Sequence, residues 1–372
     1  MRSPFIMLLV IVVFLGANCY VFYRIWNMIP ANPVGRILLI VFAVVAMVSP
    51  FVAILAGERL PSAVTSVLYQ IGTSWIFIWM YLLILFLLFD LIRVTGLFPI
   101  NKIMYGNPVV LLVLTVILAA VFTGGYFNYL NKKRVELSVS VNKELTAPLK
   151  IVAISDLHLG YGIGKKELND WIALINKENP DVVLIAGDII DNNVKPLYEQ
   201  EMEQDFHKIK SKYGVYTVLG NHEYIAGVSK SVRFLHDAGI TLLRDSCVLV
   251  GGVFYLAGRD DRSNPKRKPL QELITLSDRS KPLIMLDHQP FHLEEIEKNN
   301  IDLQVSGHTH YGQIFPISWI TRLIYEDAYG YLKKGNSTIY VSSGIGTWGG
   351  KFRIGTRSEY VMITVNGKQV DK

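Results

Sequence analysis

The sequence predicts two parts of different class, an all-helical membrane region followed by an α/β domain, and three observations carry that prediction. The chain of 372 residues is 51% hydrophobic and 18% charged, against roughly 25% charged residues in a soluble domain. The deficit of charge lies almost wholly before Asn131, where four long apolar stretches stand. Beyond Pro148 the pattern changes to brief β-branched runs alternating with amphipathic segments of helical period.

The apolar stretches run from about Phe5 to Ile29, Ile37 to Ala56, Val67 to Ile92 and Val109 to Phe127. Each is near the roughly 20 residues that cross a bilayer as a helix. The first is too long for a signal peptide and is followed by three more. Ionisable residues are nearly absent inside them; Asp90 and Arg93 stand near a helix end, which suits an anchor better than a transport pathway. A lipid-binding groove among the spans is the sharper alternative. Residues 1–130 thus read as a multi-pass anchor, 131–148 as a short polar linker and 149–372 as the second domain.

An even number of spans puts both termini on one side of the membrane. That side carries Arg2, Arg59, Lys132, Lys133 and Arg134, and the other Arg24, Arg36, Arg93 and Lys102. The near tie is broken by the cluster directly after the last span, which points to a cytoplasmic domain. The net charge of +6 is scattered, and its two denser runs lack interleaved aromatic residues, so nucleic acid is an unlikely partner. Two cysteines, Cys19 and Cys247, make a disulfide framework implausible.

In the α/β part, strands are expected at Leu149 to Ile154, Val182 to Ile185, Val215 to Leu219, Val248 to Ala257, Leu283 to Leu286, Leu303 to Ser306, Ile339 to Ser342 and Tyr360 to Val365. Helical periodicity fits Lys165 to Lys177, Val194 to Lys212, Ser229 to Ala238 and Pro269 to Thr275.

The residues able to do chemistry come just after strands: Asp156 and His158, Asp188, Asn221 and His222, His288, then His308 and His310. In open α/β sheets that edge is where ligands bind, because the strand fixes position while the loop leaves the side chain free. Five of the eight histidines sit at these strand ends. In Asp156-Leu157-His158 and His308-Thr309-His310, residues two apart on an extended segment project to one side and can grip neighbouring cations. Asp188 has two oxygens and could bridge a metal pair. Asn221 adds an uncharged oxygen, and His222 a ring free to face a substrate. Each motif alone is weak; together they supply the mixed nitrogen and oxygen donors of a bimetal centre.

The ordered set Asp-x-His, Gly-Asp, Gly-Asn-His-Glu, a lone His and Gly-His-Thr-His resembles the calcineurin-like metallophosphoesterase superfamily. Gly307 to Gln313 and Ser343-Gly344-Ile345-Gly346 are similar to its bacterial, membrane-tethered branch. The resemblance covers about Leu149 to Val365. It implies a four-layer α/β/β/α sandwich, with one divalent ion (manganese, iron or zinc) on Asp156, His158, Asp188 and His310. Asp188, Asn221, His288 and His308 would hold a second. It further implies a hydroxide activated by the two metals attacking a phosphomonoester, phosphodiester or pyrophosphate, with His222, helped by Asp156, serving the transition state or leaving oxygen. The anchor favours a lipid-linked substrate. A non-catalytic scaffold or sensor and a nuclease are the alternatives.

Tyr311 stands where that branch usually has glycine, and either narrows the pocket or packs on a neighbouring loop. Arg259 could offer a bidentate fork to phosphate, although a strand-end turn explains Gly258 to Asp261 as well. His207, His236 and His292 read as solvated surface residues.

Overall fold

The computed structural model describes residues 4–30, 32–96, 99–100, 105–275 and 277–368. Arg2 and Lys102 of the charge comparison lie outside these residues. The chain divides into two compact units, Met1–Gly124 and Gly125–Lys372.

Four helices, α1 (Pro4–Met28), α2 (Pro33–Ala56), α3 (Ser62–Thr95) and α4 (Pro108–Leu130), are long and apolar enough to cross a membrane. They outlast the expected stretches at most ends, because helix continues through polar flanks that hydropathy leaves out. Inside the first unit α2 and α3 pack closely enough that a Cβ at Gly72 would strike Pro50, and Trp75 Nε1 donates to Asn18 Oδ1 at 3.1 Å. Asp90 accepts from Arg24 and, at 2.5 Å, from Tyr20 Oη, while Arg93 stands 4.0 Å off. The acid at the helix end is therefore neutralised across helices more than along its own. An apolar cavity of about 370 Å³ lies among Ile25, Phe42, Trp75, Leu82, Phe86 and Phe122.

The second unit holds two six-stranded sheets. The first has the order β1 (Lys133–Glu144), β12 (Glu359–Lys368), β2 (Leu149–Ile154), β3 (Val182–Ile185), β4 (Val215–Thr217) and β5 (Thr241–Leu242). The second runs β10 (Gly330–Lys334), β11 (Ser337–Val341), β9 (Leu303–Ser306), β8 (Leu283–Leu286), β7 (Phe254–Gly258) and β6 (Ser246–Val250). The two-residue side-chain period decides which residue faces which layer. Ile151, Ala153, Leu184, Ile363, Ile284, Leu286 and Val305 fill the core between the sheets. Val152, Ile154, Val183 and Ile185 turn outward onto helices α5 (Lys165–Lys177) and α9 (Val228–Asp237). Leu283, Met285 and Ile339 do the same on the other side, under α10 (Leu270–Leu273) and α11 (Glu294–Lys298). The result is the four-layer α/β/β/α arrangement that was expected.

Four local expectations give way. The segment 131–148 is not a linker: Lys133–Glu144 is an edge strand pairing in parallel with β12. Its alternating exposed and buried residues reflect one covered face. The run Val248 to Ala257 is a hairpin, β6 and β7, folded at Gly251 and Gly252, both with positive φ. Val194 to Lys212 breaks into α6 (Lys195–Glu199) and α7 (Met202–Phe206), since Glu201 takes a left-handed conformation between them. Three helices escaped periodicity, α8 (Asn221–Ala226), α11 and α12 (Ile317–Ile324).

Candidate metal centre

The strand ends of β2, β3, β8 and β9, with the loop after β4, deliver the eight predicted residues to one locality. Asp156, His158, Asp188, His308 and His310 all have positive φ, between 47° and 71°. Non-glycine residues adopt this region at a cost, and such strain is characteristic of functional loops. Here it turns each chain sharply off its strand, so that the side chain points back over the sheet edge. Neighbouring glycines make room: a Cβ at Gly307 would strike the Asp156 carboxylate, one at Gly220 that of Asp188, and one at Gly187 would lie 2.8 Å from His288 Nδ1.

Three groups of donors result among the described residues: Asp156, His158 and His310 can share one centre, Asp188, His288 and His308 another, and His158 also meets Asp191 and His222. His158 Nε2 faces His310 Nε2 at 2.9 Å, and His310 Nε2 lies 3.6 Å from Asp156 Oδ1. In the second group His288 Nε2 is 3.1 Å from Asp188 Oδ2 and 3.3 Å from Asn221 Oδ1. The same oxygen, Asp188 Oδ2, stands 3.8 Å from His158 Nε2, so this carboxylate belongs to the first two groups alike.

The remaining ring nitrogens show why the donors converge. His288 Nδ1 donates to the Ala186 carbonyl at 2.7 Å, and that acceptor obliges the proton to sit on Nδ1. Nε2 is aimed at two oxygens that offer only lone pairs, so it holds either a proton or a cation there; burial acts downward, but the Asp188 charge raises the ring well above its ordinary value. His158 repeats the pattern, with Nδ1 against Asp191 Oδ1 at 3.3 Å and Nε2 against the nitrogen of His310. Each cluster needs a proton or a cation at its middle, and a divalent ion satisfies every donor at once. Anchored Nδ1 and inward Nε2 is also how metal-binding imidazoles are ordinarily held. The residues therefore fit bound divalent cations.

The electrostatics agree. Burial, with the positive charge at His288, lowers the His308 pKa to about 4; burial and the neighbouring His158 push His310 well below its ordinary value. Both stay neutral and ready to ligate. Burial also raises Asp156, whose carboxylate lacks enough positive charge from the protein alone. For His222 burial acts downward, but the charges of Asp188 and Asp191 and the bond to Asp191 outweigh it and raise the ring to about 9.

Sequence reasoning missed three supporting residues. Asp191 is buried between His158 and His222, its Oδ1 3.4 Å from His222 Nδ1, and its carbonyl accepts from that nitrogen at 2.6 Å. The acid beside His222 is thus Asp191, while Asp156 spends both oxygens on the His308 amide, at 2.9 and 3.2 Å, and on Ser155. A second acid three residues after Asp188 was a readable signal. Glu223 accepts from the amides of Asp188 (3.1 Å), Ile190 (2.9 Å) and Gly220 (2.7 Å), knitting two ligand loops together. Arg353 is 1% exposed and donates to the carbonyls of His310, Ser343, Gly344 and Gly346.

Two predicted substrate contacts are placed otherwise. Arg259 is buried and directed at Asp287 (3.4 Å) and Glu295 (3.1 Å). Tyr311 stacks on Tyr329 with ring centroids 4.8 Å apart and is held by Arg322, which is the packing alternative. His207, His236 and His292 lie outside these clusters.

The calcineurin-like phosphoesterase profile matches residues 149–312, the stretch that carries all eight residues. A protein of Aquifex aeolicus described as an uncharacterized metallophosphoesterase is 34% identical over 228 residues, 59% of this chain and 86% of its own. A Helicobacter pylori protein of the same description is 34% identical over 248 residues, 65% of this chain and 66% of its own. A transmembrane protein with metallophosphoesterase domain from Danio rerio is 32% identical over 62% of this chain and 56% of its own length. The last two matches thus span less than two thirds of those relatives. With the ligand loops, the profile and the Aquifex relative in agreement, the chain belongs to the calcineurin-like phosphoesterase family.

Proposed function

We propose that the protein is a membrane-anchored, metal-dependent hydrolase of a phosphomonoester, phosphodiester or pyrophosphate bond. One observation carries this reading: Asp188 Oδ2 faces the inward nitrogens of His158 and His288, between two donor groups. Asp156, His158, Asp188 and His310 would hold one ion, and Asp188, Asn221, His288 and His308 the other. Manganese, iron and zinc all suit such mixed donors. Two bound cations would neutralise phosphoryl oxygens and make a water nucleophilic near neutral pH.

The protein's own groups do the rest. His222 gives its Nδ1 proton to the Asp191 carbonyl, so Nε2 is the atom left to meet a substrate oxygen. The bond and charge of Asp191 favour the protonated ring, which suits an acid that hands a proton to the leaving oxygen. Asp156 fixes the His308 amide and so sets the ligand loop. Arg259, already paired with two carboxylates, takes no part.

A lipid-linked phosphate is the favoured substrate class because four membrane-spanning candidates precede the domain. The Lys132, Lys133 and Arg134 cluster after the last of them supports a cytoplasmic domain. The test is hydrolysis of a generic nitrophenyl phosphodiester by the purified full chain with added manganese. Turnover that depends on metal and disappears in Asp188→Asn supports the reading; equal turnover in that variant refutes it.

A further inference from the structure

Helix α12 is amphipathic the wrong way round for a domain surrounded by water. Its buried positions are the small polar residues Ser318 and Thr321. Its outward positions are Trp319, Ile320, Leu323 and Ile324, joined by Phe315 just before it, and Leu323 is 87% exposed. The inward polarity has a local cause. Gly312 has a φ of 70° and so little space that a Cβ there would lie 2.5 Å from the Ile317 carbonyl carbon. Small residues let the helix press onto the loop that carries His310. Nothing comparable explains the outward face, where five large apolar side chains gather on one short segment.

The position of this face identifies what covers it. Residues 125–130, the last turns of α4, belong to the same compact unit as α12. Asn128 Nδ2 donates to the carbonyls of Arg353 (2.9 Å) and Thr356 (2.6 Å), and the Arg353 amide donates to the Gly125 carbonyl at 3.0 Å. Ile354 in that loop accepts from the Phe315 amide at 2.8 Å. The end of a membrane-spanning helix is therefore tied through one loop to the start of α12. That end is itself apolar and exposed at Tyr126, Phe127 and Leu130. Aromatic residues with aliphatic neighbours at the exit of a span are the composition of a membrane interface.

We propose that Ile317–Ile324 is an interfacial helix that lies in the surface of the bilayer, with Phe315, Trp319, Ile320, Leu323 and Ile324 inserted among the lipids. The occupant of the apolar face is the same membrane that α4 spans. Arg322, exposed on the helix and turned to Tyr311, sits at headgroup level, where a cation meets lipid phosphate. The ligand loop Gly307 to Gly312 is thereby set beside the lipid surface. This docking stands independently of hydrolysis and holds even for a chain without turnover.

The test uses the full chain in lipid nanodiscs with Cys19→Ser and Cys247→Ser, each protein carrying one spin label, at Trp319→Cys, Ile320→Cys, Leu323→Cys or, as an exposed control on the same domain, Lys298→Cys. Collision rates with oxygen, which concentrates in lipid, and with a water-soluble nickel complex are then compared. The expected result is an oxygen-to-nickel ratio several-fold higher at positions 319, 320 and 323 than at 298. Ratios equal to the control would overturn the proposal by placing the helix in water. Protection from both reagents would also overturn it, since that signifies cover by protein. Activity on the nitrophenyl diester is read in the same samples, so loss of hydrolysis and loss of docking are separate outcomes.

Discussion

Replacing Asp191 by asparagine keeps the shape of a buried side chain and removes one charge from between two imidazoles. The carboxylate oxygen lies 3.3 Å from His158 Nδ1 and 3.4 Å from His222 Nδ1, so one change acts on a proposed ligand and on the proposed acid. Losing the partner that orients a metal-binding imidazole typically costs 10- to 100-fold in metal affinity, about 1.4 to 2.8 kcal/mol. A hydrogen bond to a charged group contributes about 1.5 to 3 kcal/mol, the same range reached independently. The assay is a manganese titration of nitrophenyl diester hydrolysis by the full chain in nanodiscs, with Asp191→Asn beside the unaltered protein. The half-saturating manganese concentration should rise by about 10- to 100-fold. The pH profile supplies a second readout. Asp191 helps hold His222 near 9, so without that charge the protonated ring is lost earlier as pH rises and the alkaline limb moves to lower pH. Unchanged half-saturation together with an unmoved alkaline limb would refute the argument that Asp191 positions both rings.

Three further outcomes are expected. Arg353→Lys should lower thermal stability and metal affinity together, by about 2 kcal/mol or more in stability, because an ammonium cannot reach four carbonyls with the fork that the guanidinium uses; a melting temperature within a degree of the parent counts against it. Gly307→Ala places a methyl group against the Asp156 carboxylate, so equilibrium dialysis should show loss of bound metal, and full metal content would show that the loop yields. Burial raises the Asp327 pKa to about 6, above the ordinary carboxylate value. Its stabilising contribution is therefore complete below about pH 4 and fades as pH rises through about 6. Melting curves between pH 4 and 7 should fall less in Asp327→Asn than in the parent, and parallel curves would show that this group does not titrate as described.

The strands that bear ligands were the most legible part of the chain. β3 and β8 are buried on both faces and appear as unbroken apolar runs, and β2 and β9 are interrupted only at Lys150 and Gln304. Hydropathy marks such runs within a residue or so. The edge strand β1 was misread as a linker because exposure of every second residue, as at Glu136, Ser138 and Ser140, dilutes its apolar signal. The hairpin at Gly251 and Gly252 was hidden for the opposite reason, since two adjoining strands of similar composition look like one.

The proposed donors follow from residue chemistry alone: carboxylate, amide and imidazole at five separate strand ends admit few uses besides holding cations. What only the tertiary structure could decide was which donor faces which, because that depends on left-handed turns at Asp156, Asp188 and His308 and on contacts between loops far apart in the chain. The roles of Asp191, Glu223 and Arg353 went unassigned for that reason, since a lone acid or base acquires its role from the ring or carbonyl that folding brings to it. The outward face of α12 was equally beyond reach from one dimension. Only burial shows that these eight residues turn their small polar side inward and their large apolar side outward.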